Sequence, residues 1–212
     1  MLKGIIFDLD GTLVDSLSTT FDAFNHGIVM HGGRVHTPHE IMTYFGPGEG
    51  EIFAQILGKD KAEAAYAASC KFMDENLGKV PLHDGVGELL EKAKSASVPI
   101  SIFTGRSWNT TELILKHHRL LDRFVTVVAN DHVSFPKPSA EGLHLALTRM
   151  KLEPHEVLFV GDSPADMMAA RSAGAQGVAA LWDLMAERAQ MEPHSPQHWA
   201  SHPKEIWDLW KR

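Results

Sequence analysis

The sequence of 212 residues predicts an α/β protein: a parallel sheet with helices on both faces, carrying an inserted helical domain. Three observations predict it. Short apolar runs alternate with amphipathic stretches, the pattern of a parallel sheet covered on both sides. The alternation breaks once, from about residue 17 to residue 79, where the pattern is helical throughout. Polar and charged residues recur just after the apolar runs, at the edge where open parallel sheets bind ligands.

The elements follow in order. Gly4 to Leu9 reads as the first strand, its apolar run Gly4-Ile5-Ile6-Phe7 being that expected of a strand buried on both faces. The insert contains "STTFDAFNHGIVMHG", "HEIMTYF", "GEIFAQIL" and "KAEAAYAASCKFMDENL", with Gly78 and Pro81 at its end. The expected division is therefore 1–16 with 81–212 for the sheet domain and 17–80 for the helical one. Val86, Leu89, Leu90 and Ala93 mark one helix face, and Leu143, Leu147 and Met150 another. Further strands are expected at Val98–Phe103, Phe124–Ala129, Val157–Gly161 and Gly177–Leu181. Ser163-Pro164 reads as a helix start and Gly174 as that helix's stop.

Composition narrows the class. A formal net charge of −7 argues against a nucleic-acid partner, because phosphate backbones attract basic faces. The single cysteine, Cys70, permits no internal disulfide and suits a reducing cytosol. The N-terminal apolar run is too short for a signal peptide, and no stretch approaches a membrane span. A cytoplasmic protein without membrane partners is expected.

The strand ends carry the chemistry. "FDLDGTLVDS" (7–16) delivers Asp8 and Asp10, the second strand ends in Thr104-Gly105-Arg106, Lys137 follows the third within "FPKPS", and "GDSPAD" brings Asp162 and Asp166 after the fourth. Like charges about 4 Å apart repel by about 4 kcal/mol at an effective dielectric near 20. A bound cation makes such converging carboxylates tolerable, and oxygen ligands suit Mg²⁺. With Lys137 and backbone amides, the cation would form a site for a dianionic phosphate.

These four motifs, in this order, resemble the haloacid dehalogenase superfamily. "GDSPADMMAARSAG" and the helical insert are similar to its phosphoglycolate phosphatase and β-phosphoglucomutase branch. The resemblance implies a three-layer Rossmann-like core with the first strand central, an all-helical cap, Mg²⁺ as cofactor and a small phosphate ester as substrate. It implies that Asp8 is the nucleophile and that Asp10 is the general acid and base, its carbonyl also binding the metal. It makes Asp162 the acidic metal ligand, Asp166 the residue that orients metal waters or the lysine, and Thr104, Gly105 and Lys137 the phosphoryl-binding set. A phosphomutase, a pyrophosphatase and a non-enzymatic phosphate-binding protein stay open as alternatives; a dehalogenase, which lacks the second aspartate, does not fit Asp10.

The remaining features divide between site and scaffold. Arg106 reads equally as a surface residue or as a second phosphate or substrate contact. "FGPGEGE" (45–51) reads either as a helix-helix turn with Glu49 or Glu51 as helix-end acids or as a loop over the leaving group, with Glu49 as a candidate substrate contact. Asp15 is expected to tie the linker by hydrogen bonds, and Met167 and Met168 to fill the core. Four C-terminal tryptophans (Trp182, Trp199, Trp207, Trp210) are expected to pack the last helix on the sheet. The 13 histidines match no zinc spacing. Nothing in the sequence names the leaving group or an oligomeric state.

Overall fold

The computed structural model describes residues 1–212. Six parallel strands form one sheet: β1 (Gly4–Phe7), β2 (Ile100–Phe103), β3 (Val127–Val128), β4 (Val157–Gly161), β5 (Gln176–Ala180) and β6 (His198–Ala200), in the order β3-β2-β1-β4-β5-β6. The first strand is central, with Ile5 opposite Ile100 on one side and Leu158 on the other.

Ten helices accompany the sheet: α1 (Leu17–Met30), α2 (Pro38–Met42), α3 (Glu49–Leu57), α4 (Lys59–Glu75), α5 (Val86–Ser95), α6 (Trp108–His117), α7 (Glu141–Met150), α8 (Pro164–Ala173), α9 (Arg188–Met191) and α10 (Lys204–Trp210). Strand alternation separates two cores. Ile5 and Phe7 join Leu89 and Leu90 of α5, Ile114 of α6 and Ile206 of α10 on one face. Ile6 joins Leu143 and Leu147 of α7 and Ala169 and Ala170 of α8 on the other. The result is a three-layer Rossmann-like α/β fold. No helix is long and apolar enough to cross a membrane.

Helices α1 to α4 occupy the segment between β1 and α5 and have a core of their own. Phe21, Phe24, Ile28, Ile41, Ile52, Phe53, Ala62 and Ala65 form it. Two chain crossings join this block to the sheet, and they run side by side. Val14 bridges Leu82, and the Asp15 amide donates to the Pro81 carbonyl at 2.9 Å.

Several expectations change. The strand at Val98–Phe103 begins two residues later, and Phe124–Ala129 contracts to Val127–Val128, because Val125 is half exposed at the sheet's margin. β5 begins at Gln176. β6 was not expected: His198-Trp199-Ala200 is a short edge strand without an apolar run. Asp15 is exposed and its carboxylate accepts no hydrogen bond; the neighbouring Ser16 hydroxyl makes the tie instead, donating to Asp10. Met167 is buried but Met168 is 38% exposed, pointing off the packed face of α8. The last helix packs against α5, with Trp207 stacked on Trp210, whereas Trp199 belongs to β6 under the Arg188 guanidinium.

Candidate active site

The site starts from one strand end. After Phe7 the chain leaves β1 and turns, the Leu9 carbonyl accepting from the Leu13 and Val14 amides at 2.8 and 3.0 Å. Gly11 takes φ +71°, and a Cβ there would lie 2.3 Å from Asp162 Oδ2. Glycine is therefore required twice, for the left-handed backbone and for the close approach of the fourth strand's aspartate. The turn lets Asp8 and Asp10 find different cations.

Asp8 faces Lys137. Its Oδ1 accepts from the Leu9 amide at 2.7 Å and lies 2.9 Å from Lys137 Nζ. Lys137 also donates to Asp166 Oδ1 at 2.6 Å and sits over the rings of Phe103 and Phe159. Burial works against the ammonium, but the charges of Asp166 and Asp8 outweigh it and hold Lys137 above its ordinary value. Asp166 is fully buried, and its other oxygen closes the cap of α8 by accepting from the Ser163 amide and hydroxyl. The aspartate thus fixes the lysine and the helix start together.

Asp10 faces Arg106. The guanidinium forks onto it, Nε to Oδ2 at 2.9 Å and Nη2 to Oδ1 at 2.7 Å. Arg106 also donates to Thr20 at 2.5 Å and to Glu49 at 3.3 Å. Burial pushes the Asp10 carboxyl up, but Arg106 and the Ser16 hydroxyl outweigh it and hold it below its ordinary value. Arg106 is not a surface residue: its side chain is only 3% exposed. Burial likewise pushes Glu49 up, more than Arg106 and Thr110 pull it down.

The remaining positions fall into place around these pairs. Thr104 is buried at the end of β2, its hydroxyl accepting from the Arg106 amide. Gly105 lines the same cavity with open space where a Cβ would be, so the surrounding fold does not demand glycine there. Glu49 bonds Thr110 at 2.8 Å, whereas Glu51 points to solvent and does not reach the cavity. The 45–51 loop is pinned to the sheet domain by residues the sequence reading passed over. Asn130 donates to the Gly46 carbonyl and the Ser107 hydroxyl accepts from the Glu49 amide. Asn130 lies just past the carboxyl end of β3, and that position was the available signal.

The donor set fits a divalent cation. Carboxylate oxygens of Asp8, Asp162 and Asp166 lie within 4.8 Å of one another. Both oxygens of Asp166 are already engaged, so its proximity does not make it a ligand. Asp8 and Asp162 each keep one oxygen, Oδ2, to which no protein group donates. The Asp10 carbonyl accepts no backbone hydrogen bond. Burial, with the charges of Asp8 and Asp166, holds Asp162 well above the carboxylate range. Burial above all pushes Asp8 up to about 7, against the pull of Lys137.

A stability test follows from the sign of these shifts. Folded values above unfolded ones favour the protonated, metal-free fold. That contribution is full below about pH 4 and is lost as pH rises towards 7 and beyond. A cation would take the proton's place. Mg²⁺ at about 100 times its Kd should raise the melting temperature at pH 8 by roughly 5–10 °C, and much less at pH 5. Asp162→Asn should remove most of the pH 8 shift. Calorimetry with and without chelator checks this, and no shift at pH 8 would remove these carboxylates as a cation site.

Comparison with known proteins places the chain. Pyrophosphatase PpaX of Bacillus mycoides (strain KBAB4) is 29% identical over 198 residues, 93% of this chain and 91% of that protein. A haloacid dehalogenase-like family hydrolase from Streptococcus pneumoniae superposes with a TM-score of 0.78 at 28% identity, over 99% of this chain and 98% of that one. A predicted phosphoglycolate phosphatase from Haemophilus somnus 129PT shares the fold at a TM-score of 0.85 and 23% identity, over 98% and 97%. Residues 5–180 match the family model for haloacid dehalogenase-like hydrolases, and the chain belongs to that family.

Proposed function

We propose that the chain is a Mg²⁺-dependent phosphatase that hydrolyses a small phosphorylated metabolite through an aspartyl-phosphate. One observation carries this reading: Asp8, at the end of the central strand, has one oxygen held by Lys137 and the Leu9 amide and the other undonated. A nucleophile needs that arrangement, fixed in place yet open on one side. The curated relative named a pyrophosphatase and the family match support phosphoryl chemistry.

In this reading one oxygen of the Asp8 carboxylate attacks phosphorus while the other faces the cation, and Thr104, Gly105 and Lys137 hold the transferring oxygens. Such transfer depends mainly on positioning and charge stabilisation. Asp10 gives a proton to the leaving oxygen and takes one from the hydrolytic water, which requires its fork with Arg106 to open. Asp8, Asp162 and the Asp10 carbonyl would hold Mg²⁺, whose charge would offset that of the phosphoryl oxygens. Arg106 and Glu49 stand where a substrate contact is expected. Residues 17–80 act as a cap on a core of 1–16 and 81–212, a division supported by the block's own apolar core.

The test is phosphate release from a metabolite panel with Mg²⁺, together with Asp10→Asn. That variant lacks the base for the second half-reaction, so phosphoenzyme should accumulate in rapid-quench samples while steady turnover falls about 10²–10⁴-fold. An isomer accumulating in place of phosphate would indicate a mutase. Turnover with no phosphoenzyme in either protein would remove the covalent step.

A further inference from the structure

The cavity above Asp8 has a second end, which the phosphoryl group does not need. Its total volume is about 460 Å³, between the sheet edge and the helical block. That is the scale of pockets that enclose whole organic ligands. The cavity's large apolar lining residues are Leu17 and Phe24 of α1, Met42 of α2, Phe45, Ile52 of α3, and Met185 from the loop after β5. Phe45 is 44% exposed, Met42 38% and Met185 46%. The Phe45 ring leans on those of Phe21 and Phe24, with centroids 6.4 and 6.1 Å away. Large apolar side chains therefore stand uncovered around the space a leaving group would enter.

Charge points the same way. The cavity lining contains two basic side chains, Lys137 and Arg106. Lys137 is held at the phosphoryl end by Asp8 and Asp166. Arg106 faces two carboxylates, Asp10 and Glu49. With both ionised the group of three carries a net negative charge, and with Glu49 protonated it is neutral. Neither state has positive charge to spare. While the Asp10–Arg106 fork stays closed, a second phosphate or a carboxylate entering here would lose water without gaining a partner.

We propose that the leaving-group end receives a neutral alcohol with an apolar or aromatic body. The substrate class is then a phosphate monoester of such an alcohol, not pyrophosphate or a phosphorylated carboxylic acid. This rests on the phosphatase reading above. The apolar wall supplies binding that the reacting end cannot, and that binding favours long over short esters.

The test uses the Mg²⁺-loaded enzyme and kcat/KM for ethyl, butyl, hexyl and benzyl phosphate, with pyrophosphate and 2-phosphoglycolate beside them. The alkyl series keeps leaving-group chemistry nearly constant. The expected result is a rise of about threefold per added methylene until the chamber fills. Hexyl or benzyl phosphate should exceed both anionic substrates at least about tenfold, roughly 1.4 kcal/mol. Phe45→Ala combined with Met42→Ala should flatten the rise, and the wild-type series carries the test whether or not that double variant folds. A flat or falling series, or faster turnover of pyrophosphate or phosphoglycolate than of hexyl phosphate, overturns the inference and leaves the phosphatase reading standing. Failure of every compound to release phosphate overturns both.

Discussion

Asp8→Asn is expected to lower turnover by at least about 10⁴-fold, because an amide of nearly the same shape is a poor nucleophile. The protein should not lose stability with it. Asp8 is buried near other acids, and the charges of Asp166 and Asp10 both oppose its ionisation. Replacing it by a neutral group removes that repulsion, and Lys137 keeps its shorter contact, to Asp166 at 2.6 Å. Without Mg²⁺ the variant's melting temperature at pH 8 should equal or exceed that of the wild type. Steady-state kinetics and melting curves on the same preparation, shown free of deamidated protein, check both halves. Retained turnover would end the nucleophile assignment, and a large fall in melting temperature would mean that Asp8 holds the fold together.

Lys137→Met should show the opposite pattern, with activity and stability falling together. Two carboxylates meet on this one ammonium, and its side chain is only 6% exposed. Methionine fills the space between the Phe103 and Phe159 rings but leaves Asp166 buried without its partner. Removing one side of a buried ion pair costs about 3–5 kcal/mol, or roughly 10 °C in a chain of this size. The phosphoryl oxygens lose a preorganised charge at the same time, so kcat should fall about 10²–10³-fold. Far-UV circular dichroism and kinetics below the lowered melting temperature separate the two effects. Unchanged kcat in the folded variant would restrict Lys137 to a scaffold role. The pair of variants therefore distinguishes a carboxylate the fold tolerates from an ammonium the fold requires.

The contrast also shows which parts of the site were legible in the sequence. β1 and β4 could be read because both faces are buried and every residue is apolar or glycine. Asp8, Lys137 and Asp162 followed from their places after strands. The edge strand β6 left no such run, because its His198 and Trp199 are only half buried. The network around Arg106 was not legible. Its burial depends on Glu49 and Thr20, which come from two helices of the inserted block, and no local pattern announces that contact. Asp15 and Ser16 show the limit of motif reading within a single turn: adjacent residues point opposite ways, and the hydroxyl rather than the carboxylate reaches Asp10.

The place of β1 at the centre of the sheet has a bearing on how the chain folds as it is synthesised. The first strand made is the one that needs both neighbours, and those neighbours, residues 100–103 and 157–161, are translated far later. Until residues 100–103 are made its apolar run has no strand to pair with, and until residues 157–161 its other edge stays open. Helices α1 to α4 emerge next, and their contacts are local, so they can collapse on their own core while the strand waits. Asp8 therefore gains the neighbours of its final site one at a time, Lys137 being translated before Asp162 and Asp166.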